Sequence, residues 1–263
     1  MDRCHHRQIL SRGLTAAFIF AFFMFFFARP AVSALESSAL LPQTADAGET
    51  YVDSMIFFGE STTSHLRSRG VLRDGTKTNA VWSDASGTRM LSSKMLSQPI
   101  VYPPTGELLT PVEACERAKP RYLVLSFGQN GLVRFAEDTD TYVTCYKRLI
   151  DALLAASPDT KIILQTVYPL GAQGNYSADL ATLNQFINRL NACLPEIAAD
   201  YTNVRVADTA SVLRDADGKL CASFDNGDGQ HLNAEAYQTI LSYLRTHAWQ
   251  AEDESASVER SQT

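Results

Sequence analysis

The 263-residue chain has few histidines and few basic residues, and it lacks the common nucleotide-binding motifs. Its 23 Lys and Arg residues are outnumbered by 29 Asp and Glu residues, which gives a formal charge of −6. Binding to nucleic acid needs clustered cations that contact phosphates, so we do not expect a nucleic-acid partner. Neither G-x-G-x-x-G nor G-x-x-x-x-G-K-[ST] follows the first predicted strand, which argues against a nucleotide-binding loop.

Long apolar runs are also missing, except at the N-terminus. Three arginines precede the apolar segment Leu14–Phe27, and Ala31-Val-Ser-Ala34 places small residues at the −3 and −1 positions of a cleavage site. This order is typical of a signal peptide, which we assign to residues 1–34. A spanning helix usually needs about 20 apolar residues, so an uncleaved anchor is the alternative. Either way we expect a secreted protein or one on the external face of the membrane.

Cysteine is scarce, and the absence of any C-x-x-C pair argues against a structural zinc site. Cys4 belongs to the N-terminal segment, which leaves an even set of four. In an exported chain four cysteines can form two disulfides in three pairings. Their positions favour Cys115–Cys145 and Cys193–Cys221, and four buried free thiols are the alternative.

Strand-like and helix-like segments alternate through most of the remaining chain. Residues 35–50 are small and polar and predict a linker, residues 51–248 carry the alternation, and residues 249–263 predict a disordered tail. The predicted strands are 51–58, 79–82, 121–127, 161–167 and 203–207. This alternation predicts an α/β fold, a flavodoxin-like three-layer α/β/α sandwich with a five-stranded parallel sheet.

Ser61 stands where the first predicted strand gives way to a helix. In parallel α/β sheets, ligands and chemistry gather at the carboxyl ends of the strands, and the free N–H groups of a helix start favour developing negative charge. Ser61 is therefore a candidate nucleophile. To act, it needs a base, an acid that orients the base, and donors for an oxyanion.

Only three histidines follow the N-terminal segment. His247 ends the last predicted helix, where a cation suits the helix dipole, so we assign it a surface role. His65 lies one turn after Ser61 with no acid placed to hold its ring, and we assign it to the pocket or the surface. His231 lies in a glycine-rich loop three residues after Asp228. This spacing can place a carboxylate against one ring nitrogen while the other nitrogen faces a substrate.

Asn130 and Gly87 are candidate oxyanion donors. Asn130 follows a predicted strand and carries a side-chain amide, whereas Gly87 lies in a loop where glycine lets a backbone N–H approach closely. Gly70 and Gly75 lie in the same interval and are alternatives to Gly87. Each candidate also has a plain structural interpretation, Asn130 as a turn former and Gly87 as a residue with positive φ.

Taken in order, these residues resemble the sequence blocks of the SGNH (GDSL-type) hydrolase superfamily. The chain carries G-E-S ending at Ser61, then Gly87, then G-Q-N ending at Asn130, and then D-x-x-H from Asp228 to His231. The resemblance covers about residues 51–247. It implies that Ser61 is the nucleophile, His231 the base and Asp228 its orienting acid. It also implies an oxyanion hole formed by the Ser61 and Gly87 N–H groups and the Asn130 side chain, with no metal or cofactor.

Two positions depart from the superfamily pattern. Glu60 stands where G-D-S has Asp, and Gly131 stands where the block containing Asn130 has Asp. Neither change removes a catalytic atom. Both bring into question the hydrogen bonds that steady the Ser61 loop and one wall of the pocket.

Further side chains near the motif loops can line a pocket or pack in the core. They are Trp82, Arg89, Tyr168 and Phe224. For the three aromatic residues we expect packing.

The resemblance implies an exported serine esterase that hydrolyses a small acyl group, such as an O-acetyl group on a glycan. Lipid and thioester acyl groups stay open. Two alternatives remain, an O-acyltransferase with the same triad and a catalytically silent glycan-binding module. Beyond a small-molecule or glycan ester, the only other expected partner is a membrane, through an uncleaved N-terminal segment.

Overall fold

The computed structural model describes residues 39–84 and 89–250. The predicted signal peptide, Gly87 and residues 251–263 of the predicted tail lie outside the described residues. Within the described ranges, no helix combines the length and the apolar composition needed to cross a membrane.

A five-stranded parallel sheet organises the domain, with the strand order β2-β1-β5-β6-β7. Its strands are β1 Met55–Gly59, β2 Val81–Trp82, β5 Tyr122–Ser126, β6 Lys161–Gln165 and β7 Val204–Ala207. Strands β1 and β5 pair in register from Met55 opposite Tyr122 to Gly59 opposite Ser126. Two further short strands, β3 Ile100–Val101 and β4 Leu108–Leu109, form a separate antiparallel pair that the sequence did not indicate. The order of the five parallel strands is flavodoxin-like, which confirms the predicted fold class.

Helices cover both faces of the sheet. They are α1 Glu49–Asp53, α2 Ser61–Ser68, α3 Pro111–Ala118, α4 Leu132–Glu137, α5 Thr139–Ala156, α6 Leu180–Ala199 and α7 Ala234–Thr246. Helices α3 to α6 contribute to the apolar cluster on one face, whereas α1, α2 and α7 contribute to the cluster on the other. Because both faces are covered, the central strand β5 is buried at all five positions, as its continuous apolar sequence predicts.

Capping residues fix the starts of two helices where the sequence predicted them. The Thr110 hydroxyl accepts from Glu113 N–H and the Glu113 carboxylate accepts from Thr110 N–H, which closes a capping box before α3. The Asn233 side chain accepts from Ala236 N–H at the start of α7. Both predictions are confirmed, because helix capping depends on residues that are close together in the chain.

The domain extends beyond both predicted boundaries. Leu41, inside the predicted linker 35–50, is 3% exposed and its N–H donates to Val206 O of β7. Residues 49–53 form helix α1, so the first strand begins at Met55 and not at 51. Trp249, assigned to the tail 249–263, is 7% exposed and packs under Arg205. The structure therefore corrects the linker and tail assignments for the residues that it describes.

The four described cysteines are free thiols, so the expected disulfide pairing is wrong. Cys115 is buried on α3, where its thiol lies 3.6 Å from Leu153 O, and burial raises its pKa to about 11. Cys193 donates to Arg189 O within its own helix α6. Cys115 and Cys145 are buried as the free-thiol alternative expected, whereas Cys193 and Cys221 are half-buried.

Candidate active site

Ser61 occupies the first position of α2, directly after the carboxyl end of β1. The turn between the two elements depends on Gly59, because a Cβ there would lie 2.2 Å from Thr63 Oγ1 and 2.4 Å from Ser126 O. The N–H groups of a first helical turn have no partner within the helix. The Ser61 hydroxyl and its backbone N–H therefore lie together at an electropositive helix start.

Ser61, His231 and Asp228 form a continuous chain of contacts. Ser61 Oγ lies 3.1 Å from His231 Nε2, and His231 Nδ1 lies 2.7 Å from Asp228 Oδ2. An ionised carboxylate can only accept, so the hydrogen of this contact belongs on Nδ1, and Nε2 is left to accept from the serine hydroxyl. The structure thus brings Ser61 against two residues that follow it by 167 and 170 positions, Asp228 and His231. The three have the arrangement of a nucleophile, a base and an orienting acid.

The Asp228 carboxylate is held in its charged form. Burial by itself raises the pKa of Asp228, but hydrogen bonds from the His231 backbone, the His231 ring and the Gln230 backbone outweigh it and bring the pKa to about 2. Asp228 Oδ1 accepts from His231 N–H at 2.7 Å, and Oδ2 faces the ring. One carboxylate therefore fixes both the backbone and the imidazole of the candidate base.

A pH dependence follows from Asp228. Its folded-state pKa lies below the ordinary value of 3.8, so its stabilisation is present above about pH 3.8 and is lost as the pH falls through 2. We expect the difference in unfolding free energy between the native protein and Asp228→Asn to shrink between pH 5 and pH 2.5, measured by urea denaturation. A difference that stays constant or grows as the pH falls would contradict this role.

The loop that carries Asp228 and His231 is organised by two residues that sequence reasoning missed. Asp225 Oδ1 accepts the N–H groups of Gly227, Asp228 and Gly229 at 2.7 to 3.1 Å. The Tyr176 hydroxyl donates to Gly229 O at 2.6 Å. The Asp-Asn-Gly sequence that begins at 225 is a recognisable side-chain turn signal, whereas nothing in the sequence places Tyr176 beside this loop.

Gly229 offers a test of that loop. Its φ is +74°, and an added Cβ would lie 2.2 Å from Gly174 N and 2.5 Å from the Tyr176 hydroxyl. We expect Gly229→Ala to lower kcat roughly tenfold, since the backbone between Asp228 and His231 must shift. Gly218→Ala is the matched control, because φ is +79° there and a Cβ would have nothing within 4 Å. Equal activity of both variants in an ester hydrolysis assay would contradict the role of Gly229.

Glu60 joins the Ser61 turn to the loop after β5. It is 2% exposed, and its two oxygens accept the N–H groups of Gly128, Gln129 and Asn130, each at 3.0 Å. Burial raises the pKa of Glu60 to about 8, against the three amide donors, which lower it. The glutamate that replaces the usual aspartate therefore keeps a full set of hydrogen bonds, and the loop that it steadies is intact.

Asn130 lies in the loop that Glu60 joins to the Ser61 turn, and its side-chain amide is oriented. Its Nδ2 donates one hydrogen to Arg89 O at 3.0 Å, which leaves the second hydrogen for a ligand. Gly131, the second departure from the superfamily pattern, has φ +82°, a backbone conformation that glycine adopts most readily. Gly87 lies outside the described residues, so its predicted role stays a prediction.

The other two histidines occupy different settings. The His65 ring lies 4.7 Å from the His231 ring, centroid to centroid, and its Nδ1 is buried with no hydrogen-bond partner in the described part of the chain. Burial and then the nearby His231 lower the pKa of His65, which favours a neutral ring at the edge of the site. His247 stacks on Tyr243 at 3.8 Å at the end of α7, away from the triad.

Most of the side chains that were candidates for lining a pocket are instead packed in the protein interior. Trp82 is fully buried, and Tyr168 is 5% exposed. Arg89 is 4% exposed, donates to Gln98 O at 3.2 Å and lies over the Phe58 ring. Phe224 packs partly buried against the core. The Arg89 side chain is thus turned into the protein, and its contribution to the site is the carbonyl that orients Asn130.

Comparisons with known proteins agree with this architecture. The model of the GDSL-like Lipase/Acylhydrolase family matches residues 57–239, more than half of the chain. No curated protein matches the sequence. A Streptococcus pneumonia protein provisionally named a platelet activating factor is 18% identical, with a TM-score of 0.53 over 82% of this chain and 96% of its own.

Two further solved structures are similar at lower TM-scores. A carbohydrate esterase family 3 protein from Talaromyces cellulolyticus is 15% identical, with a TM-score of 0.48 over 73% of this chain and 93% of its own. A phospholipase A1 from Streptomyces albidoflavus is 14% identical, with a TM-score of 0.47 over 74% of this chain and 98% of its own. The family match covers the sheet and the residues of the site. The chain therefore belongs to the GDSL-like lipase/acylhydrolase family and is a carboxylic ester hydrolase.

Proposed function

We propose that the protein is an exported serine esterase that removes a small acyl group, such as an acetyl group, from a glycan. The observation that carries the proposal is the contact chain from Ser61 Oγ through the His231 ring to Asp228, with distances of 3.1 and 2.7 Å. A silent binding module has no need of a base aligned with a hydroxyl, so this geometry favours turnover over the binding-only alternative.

In the proposed mechanism, Ser61 Oγ attacks the ester carbonyl carbon while His231 Nε2 takes the hydroxyl proton. The oxyanion of the tetrahedral intermediate accepts hydrogen bonds from the Ser61 N–H and from the Asn130 side-chain amide, with Gly87 N–H as the predicted third donor. Collapse breaks the bond to the alcohol, which leaves with the proton from His231. Water then attacks the acyl-serine by the same path, with His231 as the base, and releases the acid.

The environment of the triad supports a large, hydrophilic alcohol portion. The Asp228 side chain is 49% exposed and that of His231 is 24% exposed, so an ester on a polymer can approach them. A cavity of about 310 Å³ adjoins the site at Gln230, and its lining combines Gln129, Gln230 and Tyr176 with the aliphatic side chains of Leu132, Val133, Leu170 and Leu183. The polar groups suit the hydroxyls of a sugar, and the aliphatic groups suit its apolar ring face or a small acyl group.

Export is proposed from the N-terminal sequence alone, because the basic and apolar pattern of residues 1–34 is that of a signal peptide. Detection of the protein in the culture medium of a producing cell, with a new N-terminus at residue 35, would support it. Recovery of the intact chain from the cytoplasm would contradict it.

The catalytic proposal is tested by covalent labelling and by substrate profile. A fluorophosphonate probe should modify the purified protein once, and peptide mapping should place the label on Ser61. Rates on p-nitrophenyl acetate, butyrate and octanoate should fall with acyl length, and an acetylated oligosaccharide should release acetate. A label on another serine would overturn the assignment of Ser61.

The same experiments separate the alternatives. If the rate rises with acyl length, the substrate is a lipid ester and not a glycan ester. Appearance of an acylated acceptor when a non-acetylated oligosaccharide is added, detected by mass spectrometry in place of free acetate, would identify an acyltransferase.

A further inference from the structure

A second cavity, of about 500 Å³, lies at the opposite end of the sheet from the triad. Met55, Ala80 and Arg121, which line it, stand at or just before the starts of β1, β2 and β5. The triad residues follow the carboxyl ends of the strands, and neither Ser61 nor His231 contributes to this cavity. Its volume lies within the range of about 300–1,000 Å³ that is typical of small-molecule sites.

The rim of this cavity is cationic although the chain as a whole carries a formal charge of −6. Four basic residues line it together with two acidic ones; they are Arg73, Arg117, Lys119, Arg121, Asp53 and Asp74. Arg73 pairs with Asp53 at 3.2 Å, and Arg117 pairs with Glu107. Among the described residues, Lys119 and Arg121 have no carboxylate partner and Asp74 has no cationic partner, so the unpaired charges of the rim are two positive and one negative.

Two of the three arginines of the rim lie over aromatic rings. The Arg121 guanidinium lies 5.2 Å from the Tyr122 ring centroid, and that of Arg117 lies 5.5 Å from the Tyr102 ring centroid. A stacked guanidinium loses less conformational freedom when it binds, and its planar donors match the oxygens of a carboxylate or a phosphate. The rim thus presents oriented anion-binding groups around a cavity.

The backbone of the cavity is also unusual. In the described part of the chain, two residues other than glycine have positive φ, Asp74 at 67° and Lys119 at 43°, and both line this cavity. Lys119 ends helix α3 in the left-handed conformation, a position where glycine is the favoured residue. Strained backbone of this kind concentrates at binding and catalytic sites, and here a lysine stands where glycine would fit without strain.

One buried donor in the wall is unused. Trp82 lines the cavity and is fully buried, and its indole Nε1 has no hydrogen-bond partner among the described residues. Buried polar groups usually have a partner. The indole N–H is itself shielded from the cavity, so the exposed Lys119 and Arg121, and not Trp82, are the groups that an anion can reach.

We propose that this cavity binds a small anion carrying two or more negative charges on carboxylate or phosphate groups, held mainly by Lys119 and Arg121. The site is separate from the triad, so the proposal does not depend on the substrate of the esterase.

The test is isothermal titration calorimetry of the full chain at low salt with inorganic phosphate, citrate and glucose. We expect phosphate or citrate to bind with a Kd of about 1 mM or tighter, and glucose not to bind. Tighter binding of phosphate identifies a phosphorylated ligand, and tighter binding of citrate identifies a polycarboxylate. Absence of binding by both anions would overturn the proposal.

Two variants separate a built site from general charge. Arg121→Glu should weaken anion binding at least tenfold, whereas Arg148→Glu, which makes the same charge change at an exposed position on α5, should change it less than twofold. Equal weakening by both would show charge attraction only and overturn the proposal. Hydrolysis of p-nitrophenyl acetate by Arg121→Glu should stay within twofold, which shows that the variant is folded.

Lys119→Gly gives the sharpest result, because a structural and a ligand-binding role predict different outcomes. Removing the side chain at φ 43° relieves strain, so the variant should have a higher Tm than the native protein. It should also bind the anion at least fivefold more weakly. A variant that is more stable and binds equally well would overturn the role of Lys119.

Discussion

We expect Ser61→Ala to lower kcat for ester hydrolysis by at least about 10⁴-fold, because the variant has no hydroxyl to form the acyl-enzyme. The loss should fall on kcat and not on KM, since the remaining groups of the site still contact the substrate. The half-buried hydroxyl contacts His231 at the helix start, so its removal should leave the fold intact. Steady-state kinetics on p-nitrophenyl acetate, with circular dichroism as the fold control, measures both.

Ser68→Ala is the matched control for this variant. Ser68 is an exposed serine at the end of the same helix, and its hydroxyl lies 3.4 Å from His65 O. It should retain native kcat within about twofold. If Ser61→Ala kept activity comparable to Ser68→Ala, another nucleophile would have to be sought, and the assignment of His231 as its base would fall with it.

The second large effect is expected for Glu60→Gln. A carboxyl group offers lone pairs on both oxygens to the N–H groups of Gly128, Gln129 and Asn130, whereas a carboxamide offers them on one. At least one buried N–H therefore loses its acceptor, at a cost of about 1–3 kcal/mol in unfolding free energy. The shift of Asn130 relative to Ser61 should lower kcat by about 10²-fold. Urea denaturation and steady-state kinetics give the two values.

Glu116→Gln is the matched control, since it makes the same carboxyl-to-carboxamide change at an exposed position on α3. It should leave both stability and kcat near their native values.

The burial of Glu60 also predicts how stability depends on pH. Its folded-state pKa of about 8 lies above the ordinary 4.5, so its contribution to stability is complete below pH 4.5 and is lost as the pH rises through 8. A loss of activity in Glu60→Gln without any loss of stability would argue against the loop-steadying role.

Glu60 illustrates how a departure from the superfamily pattern that looks disruptive in the sequence is accommodated in the fold. From the sequence, an extra methylene in place of the usual aspartate brought the hydrogen bonds of the Ser61 loop into question. In the fold, the longer side chain reaches three consecutive amides of the loop after β5. The reason for glycine at position 131 likewise came only from the structure, because its φ of +82° is a property of the folded turn.

The errors at the domain boundaries have a common cause. Residues 39–50 are small and polar, and their composition matches that of a free linker. Leu41 is nevertheless buried, because β7 lies at the edge of the sheet and Val206 O can accept from Leu41 N–H. The disulfide prediction failed in the same way, since pairing depends on where the helices place the cysteines.

The sequence by itself determined the elements that depend on near neighbours. The buried strands, the capped helices at Thr110 and Asn233 and the alternation of strands with helices all follow from local patterns, whereas the candidate triad came from the resemblance to a family. Spacing along the chain carries this information because hydrophobic periodicity and capping act within one or two turns.

Only the tertiary structure decided how distant residues meet. It placed His231 3.1 Å from a serine that is 170 positions earlier, turned the Arg89 side chain inward while its carbonyl orients Asn130, and put Tyr176 under the Asp228 loop. It also gathered Lys119, Arg121 and Trp82 around one cavity. These contacts join separate elements across the sheet, and the free energy that sets them comes from packing of the whole domain, which no local segment of the sequence contains.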